Sequence, residues 1–201
     1  MPSHAGHRWR RCLCVSAACY RSTVWSPDKF VAALKFAGVK HSGQRVPDSE
    51  LPYVVHVTMV ASEVMSALTQ ESFGEPDLAV QCALLHDCLE DTETSADELG
   101  RAFGDLVLAG VQALTKDTSL PKSERMPDSL RRIQAQPREV RIVKLADRIT
   151  NLQPPPRSWD RDKRIAYRGE AGVILDALGA ASPYLAERMR QKITDYEGYC
   201  R

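Results

Sequence analysis

Between Ala79 and Thr92 the chain reads Ala-Val-Gln-Cys-Ala-Leu-Leu-His-Asp-Cys-Leu-Glu-Asp-Thr, and this stretch constrains the fold more than any other. Its first half is apolar on nearly every side, the pattern of a helix surrounded by other elements. His86, Asp87, Glu90 and Asp91 then arrive as two adjacent pairs. On a continuous helix His86 lies one turn from Glu90 and Asp87 one turn from Asp91, so all four project over one broad face. Ionised carboxylates on a buried helix are costly unless they are paired or bound to a metal. Three of them beside a histidine predict a bound cation rather than a solvated helix end.

The flanking sequence supplies helices to bury that segment. Ser26-Pro27-Asp28 is a helix start, a Ser cap followed by Pro at the first helical position. Phe30, Val31, Leu34 and Ala37 continue at helical spacing. A loop spans Gln44 to Asp48, and Pro52 is expected to open a second helix. Val55, His56, Met59, Val60, Met65 and Leu68 form its apolar stripe, with His56 inside the stripe. The central helix is expected from Pro76. Ser95-Ala-Asp-Glu98 reads as a capping box, Asp105 to Leu114 as a helix, Lys116 to Lys122 as a polar loop, and Glu124 to Ala135 as a basic surface helix. Arg138 to Asn151 carries a stripe of Val140, Val143, Asp147 and Asn151, so an Asp occupies a slot where periodicity calls for a hydrophobe. Pro154-Pro155-Pro156 ends that helix. Helical patterns resume over Asp160 to Leu178 and Pro183 to Tyr196. No stretch shows strand alternation with hairpin turns. The expectation is one all-α helical bundle of about eight to ten helices over residues 26–201.

Residues 1–25 differ from the rest. Arg8, Arg10 and Arg11 precede a mildly apolar stretch, and the segment contains no acid. That composition suits a disordered leader or a transit peptide and lacks the apolar region of a signal peptide. Cys12, Cys14 and Cys19, spaced C-x-C-x4-C, are a weak match to a structural metal site. A net charge of +1 argues against nucleic-acid or anionic-membrane partners. No apolar run approaches the ~20 residues of a membrane span. Cys82 and Cys88 fall on the apolar helix, where thiols behave as small hydrophobes. The expected setting is therefore reducing and cytoplasmic, without a disulfide framework.

His56, His86, Asp87 and Asp147 stand on three predicted helices and form a mixed nitrogen and oxygen donor set. Such a set suits Mn, Fe or Zn better than Ca. Glu90 and Asp91 remain beside it to handle protons. The longer strings are Phe36-Ala-x-x-Lys-His41-x-Gly-Gln44-Arg45, Pro52-Tyr53-x-x-His56, Ala83-Leu-Leu-His-Asp-x-x-Glu-Asp-Thr92, Leu114-Thr115-Lys116 and Lys144-Leu-Ala-Asp147-Arg148-x-x-Asn151-Leu152. Together they resemble the HD phosphohydrolase superfamily, and within it the hydrolase domain of the RelA/SpoT family and its small stand-alone alarmone hydrolases.

The resemblance implies an HD-domain helical bundle that hydrolyses the 3′-pyrophosphate of (p)ppGpp to GDP or GTP and pyrophosphate, usually with Mn²⁺ or another divalent metal. It implies His56, His86, Asp87 and Asp147 as metal ligands and Glu90 and Asp91 as the catalytic acidic pair. It also places Arg45, Lys144, Asn151, Arg148 and His41 around the nucleotide and its phosphates. The sequence departs from the family pattern at Val46, usually basic; at Val57, usually Pro; and at Gln153, often Arg. Two other readings stay open: an HD phosphohydrolase acting on another nucleotide such as NADPH, and a non-catalytic alarmone-binding module. A chain of 201 residues is expected to hold no synthetase domain, and its pattern does not define an oligomeric state.

Overall fold

The computed structural model describes residues 24–201, and most of the leader, with Cys12, Cys14 and Cys19, lies outside the described residues. Trp25 does belong to the described part, its ring 5.5 Å from that of Phe30. The first helix, α1 (Pro27–Lys40), starts as its sequence dictates, with the Ser26 hydroxyl accepting the Lys29 N–H. Helix α2 (Val54–Gln70) begins two residues after Pro52. Pro52 belongs instead to the preceding loop, which folds back on itself. Arg45 and Pro52 form an antiparallel bridge, the Val46 N–H donates to Leu51 O at 2.9 Å, and the Tyr53 N–H donates to Gln44 O at 3.0 Å. Asp48 takes φ 55° in this loop, a conformation that Asp tolerates better than most residues.

Helix α3 (Pro76–Leu85) is the buried centre, with every residue from Leu78 to Leu85 inside. Helix α8 (Arg138–Asn151) is nearly as deeply set, buried from Ile142 to Thr150. The two pack on each other and on α2, and α1 covers the other side of α3. Burial of aliphatic side chains such as Leu84, Leu85, Ile142, Leu145 and Ile149 drives this arrangement, each contributing roughly 1.5–3 kcal/mol. Helices α5 (Ala96–Phe103) and α6 (Asp105–Leu114) meet at Gly104, whose φ of 84° makes the corner without Cβ strain. Only a glycine fits at position 110. A Cβ there would lie 2.7 Å from the Cys82 sulfur on α3 and 2.9 Å from Val140 Cγ2 on α8. The Ser95 hydroxyl accepts the Glu98 N–H, but Glu98 turns away to pair with Lys40 at 2.7 Å, so half of the expected capping box forms.

Helix α7 (Lys122–Gln134) packs on α6, α8 and α9 (Arg161–Leu178), and α10 (Pro183–Tyr196) packs on α8, α9 and α2. The result is all-α. No helix of the described residues is long and apolar enough to cross a membrane. Cys82, Cys88 and Cys200 are buried free thiols. One expectation needs correction at the centre. The apolar helix does not run unbroken through the ionisable residues: α3 stops at Leu85, His86 and Asp87 form a turn, and a single-turn helix α4 follows (Cys88–Asp91). Two side-chain bonds favour the turn. His86 Nδ1 sits 2.9 Å from Ala83 O, and the Tyr53 hydroxyl donates to Asp87 Oδ2 at 2.6 Å. Side-chain bonds of this kind compete with the helical ladder.

Candidate metal and catalytic centre

Helix α2 presents His56, the turn between α3 and α4 presents His86 and Asp87, and α8 presents Asp147. Ligand atoms of His56, His86 and Asp147 all lie within 4.8 Å of one another, and all three residues are buried. His56 Nε2 is 3.6 Å from Asp87 Oδ2 and 3.7 Å from Asp147 Oδ1. His86 Nε2 is 2.9 Å from Asp87 Oδ2 and 3.9 Å from Asp147 Oδ1. These four residues converge although 91 positions separate the first from the last, His56 and Asp147.

The surroundings orient each donor. The contact between His86 Nδ1 and Ala83 O selects the tautomer with the proton on Nδ1 and aims Nε2 into the cluster. That Nε2 is buried without a satisfied hydrogen bond, and Asp87 Oδ2 faces it as an ion-pair partner at 2.9 Å. An unsatisfied buried nitrogen facing a second imidazole and two carboxylates fits a divalent metal. Asp147 Oδ1 accepts Asn151 Nδ2 at 2.6 Å and its Oδ2 accepts Lys144 Nζ at 2.9 Å. Asn151 and Lys144 therefore hold the Asp147 carboxylate in place.

The electrostatics are polarised. Burial disfavours charge on His86, but Asp87 and, more weakly, Asp147 outweigh it and push the imidazolium pKa up to about 9. Burial pushes His56 down and keeps it neutral. Burial opposes charge on Asp87 and Asp147 too, yet His86 holds Asp87 far below the usual carboxylate range, and Lys144 followed by His86 holds Asp147 at about 2. Burial and the Asp87 carboxylate keep the Tyr53 hydroxyl protonated.

The cluster lies at the wall of a cavity of about 470 Å³, lined further by Glu90, Asp91, Lys116, Lys122, Arg125, Lys144, Arg148 and Asn151. A smaller cavity of about 190 Å³ adjoins it, lined by Gln44, Arg45, Val46 and Pro47. Tyr53, His56, Asp91 and Asn151 border both cavities. Glu90 receives two bonds from Lys116, and Asp91 accepts a longer one from Gln44 Nε2 at 3.4 Å. Burial, then Asp87 and Glu90, raise the Asp91 carboxyl above its ordinary value.

The five residues expected around the nucleotide are not placed alike. Lys144 and Asn151 face the larger cavity. Arg148 lines it too, but its guanidinium lies 4.1 Å from the centre of the Tyr167 ring and faces Glu170 at 3.4 Å. Arg45 borders the smaller cavity and pairs with Glu50 at 2.5 Å. His41 lines neither cavity. It is buried against Tyr53, 4.8 Å between rings, with Nδ1 2.6 Å from Gln44 Oε1. Among the departures, Val57 is buried in the core, Gln153 is exposed and lines neither cavity, and Val46 borders the smaller one.

The sequence reading gave no role to Lys116, Lys122, Arg125 or Tyr53. Lys116 closes the Leu114-Thr115-Lys116 string and Tyr53 precedes His56 in another, so both were visible without a reason to assign them. Lys122 and Arg125 belong to what reads as a surface helix. The structure turns the start of α7 toward the cavity, while its second half buries Ser129, Leu130 and Ile133.

Known proteins with this pattern are similar in sequence and in fold. The sequence profile of the HD domain matches residues 33–171. Guanosine-3′,5′-bis(diphosphate) 3′-pyrophosphohydrolase MESH1 of Danio rerio is 33% identical over 163 residues, 79% of this chain and 88% of that protein. The protein of the same name from Homo sapiens is 34% identical over 168 residues, 81% and 91% of the two chains. The solved structure of a metazoan ortholog of SpoT that hydrolyzes ppGpp and plays a role in starvation responses superposes with TM-score 0.74 at 29% identity, covering 86% of this chain and 97% of that one.

Proposed function

The chain belongs to the HD-domain family, and on that premise we propose that it is a metal-dependent phosphohydrolase that removes the 3′-pyrophosphate of (p)ppGpp, leaving GDP or GTP. The observation that carries the reading is the buried His56–His86–Asp147 cluster with its unbonded Nε2, set at a cation-lined cavity beside two further acids. Residues 26–201 form the HD phosphohydrolase domain in this reading. His56, His86, Asp87 and Asp147 hold the ion, which we take to be Mn²⁺, in keeping with their mixed nitrogen and oxygen donors. When bound, such an ion supplies a Lewis acid that polarises the phosphoryl group and lowers the pKa of water.

The chain's own residues do the rest. Tyr53 and Asn151 orient Asp87 and Asp147. Lys144 uses one N–H on Asp147 and retains two for phosphate oxygens. Lys122 faces the same cavity and adds to the positive field that a pyrophosphate group requires. Arg45 reaches substrate by exchanging its Glu50 partner for a phosphate or a base. Between them, Glu90 and Asp91 orient the attacking water and pass its proton to the departing ribose oxygen. The setting we infer is the cytoplasm, where buried free thiols such as Cys82 and Cys88 stay reduced.

The experiment is a product assay on purified, Mn²⁺-loaded protein. The expected result is metal-dependent release of pyrophosphate and GDP from ppGpp, with no transfer from ATP to GDP. Intact ppGpp alongside phosphate released from NADPH would overturn the substrate and keep the chemistry. Tight ppGpp binding without any product would make the protein a binding module.

A further inference from the structure

The loop after α6 is held in place by guanidinium groups of α7. Arg132 Nη1 donates to the carbonyls of Gln112 and Ala113 at 2.8 and 3.1 Å, and its Nη2 donates to that of Thr115 at 2.8 Å. Asp128 accepts Arg132 Nε at 2.7 Å and fixes the fork. Arg125 donates to Leu120 O and Thr118 O, each at 2.9 Å. The Arg132 bonds satisfy carbonyls that the end of α6 leaves open, and the Arg125 bonds pin the loop that follows. They also set the position of the one residue of this loop that reaches the acidic pair. The Lys116 N–H donates to Glu90 Oε2 at 3.0 Å, and Lys116 Nζ donates to Glu90 Oε1 at 2.7 Å.

Both oxygens of Glu90 are thus held by a single residue 26 positions away, and the Glu90 side chain is only 20% exposed. Charge-assisted bonds of this length are among the stronger ones a side chain makes. Asp91 is held less tightly, with Gln44 Nε2 at 3.4 Å and the Tyr53 hydroxyl, whose short bond goes to Asp87, as its polar neighbours.

We propose that Lys116 is a positioning residue that locks the Glu90 carboxylate in one orientation, so that the two acids divide their work. The proposal rests on the phosphohydrolase reading above. Glu90 provides a fixed negative charge that orients the reacting water. Asp91 carries the proton: as the water oxygen bonds to phosphorus, one water proton passes to Asp91, and Asp91 delivers it to the ribose 3′ oxygen as that P–O bond breaks. The upward shift of Asp91 suits this exchange. Lys116 remains charged, since its bond and charge contact with Glu90 outweigh the burial that opposes its charge.

The test combines Lys116→Met and Lys116→Arg, alone and with Glu90→Gln, in assays of pyrophosphate release by the Mn²⁺-loaded protein, with Mn²⁺ binding measured by calorimetry. Lys116→Met should lower kcat by roughly tenfold or more, with KM and metal affinity within about threefold of wild type. Lys116→Arg should recover most of the loss. In the Glu90→Gln background Lys116→Met should cost nothing further, because its effect runs through Glu90. A raised KM with unchanged kcat would make Lys116 a phosphate contact and overturn the proposal, as would losses that multiply in the double variant. An independent reading needs no substrate: NMR titration of the Lys116 ammonium should show a lower pKa in Glu90→Gln. An unshifted ammonium overturns the lock whether or not ppGpp is turned over. A wild-type protein that leaves ppGpp intact instead refutes the function on which the lock acts, while the titration still reports the pairing.

Discussion

Metal uptake should be strongly pH-dependent, and the structure supplies the sign and size. In the metal-free centre the imidazolium of His86 has a pKa of about 9, because Asp87 and Asp147 outweigh its burial. His56 is shifted the other way and is already neutral at pH 7, while Asp87 and Asp147 are already ionised. A metal needs the lone pair of His86 Nε2, so binding at neutral pH must expel one proton. Between about pH 6 and pH 8 the apparent affinity should rise close to tenfold per pH unit, and at pH 7 it should lie about 100-fold below its value at high pH. Calorimetry with Mn²⁺ at pH 7, in two buffers of different ionisation enthalpy, should count about one proton released per metal. Release near zero, or an affinity flat over that range, would show that His86 is neutral before the metal arrives. The inferred dominance of Asp87 and Asp147 over burial would then be wrong.

Two further predictions address chemistry and packing. Glu90→Gln and Asp91→Asn should each retain Mn²⁺ in calorimetry while losing on the order of 10²-fold or more in the rate of pyrophosphate release; loss of metal would show that the residue is a ligand. Gly110→Ala should lower the melting temperature by roughly 2–10 °C, because its Cβ meets the Cys82 sulfur at 2.7 Å and Val140 at 2.9 Å in a packed core. Gly169→Ala should instead leave it unchanged or raise it, since that Cβ has no atom within 4 Å and lies inside α9. A Gly110→Ala protein that melts with wild type would mean that α6 shifts freely against α3 and α8.

The all-α architecture and the start and end of most helices were legible in the chain alone. Ser26, Ser95 and Pro183 announce their helices through local chemistry, and α8 runs from Arg138 to Asn151 as its pattern predicts. Such features depend on neighbours within one or two turns, which is the range that a linear pattern reports. The convergence of His56, His86, Asp87 and Asp147 could be anticipated because each interrupts an apolar face, and interruptions of one core tend to meet. Packing decided what lies beyond that range. Whether α3 continues past Leu85 depends on Tyr53 reaching Asp87 from the loop before α2. The place of His41 against Tyr53, outside both cavities, is likewise set by packing. Arg45 meets Glu50 across the fold of a loop, and Lys116 meets Glu90 from a loop that Arg132 and Arg125 of α7 hold by its carbonyls. Periodicity says which side chains point inward, but the partner of a charge is chosen by the crossing of helices far apart in sequence, and that choice exists only in the folded chain.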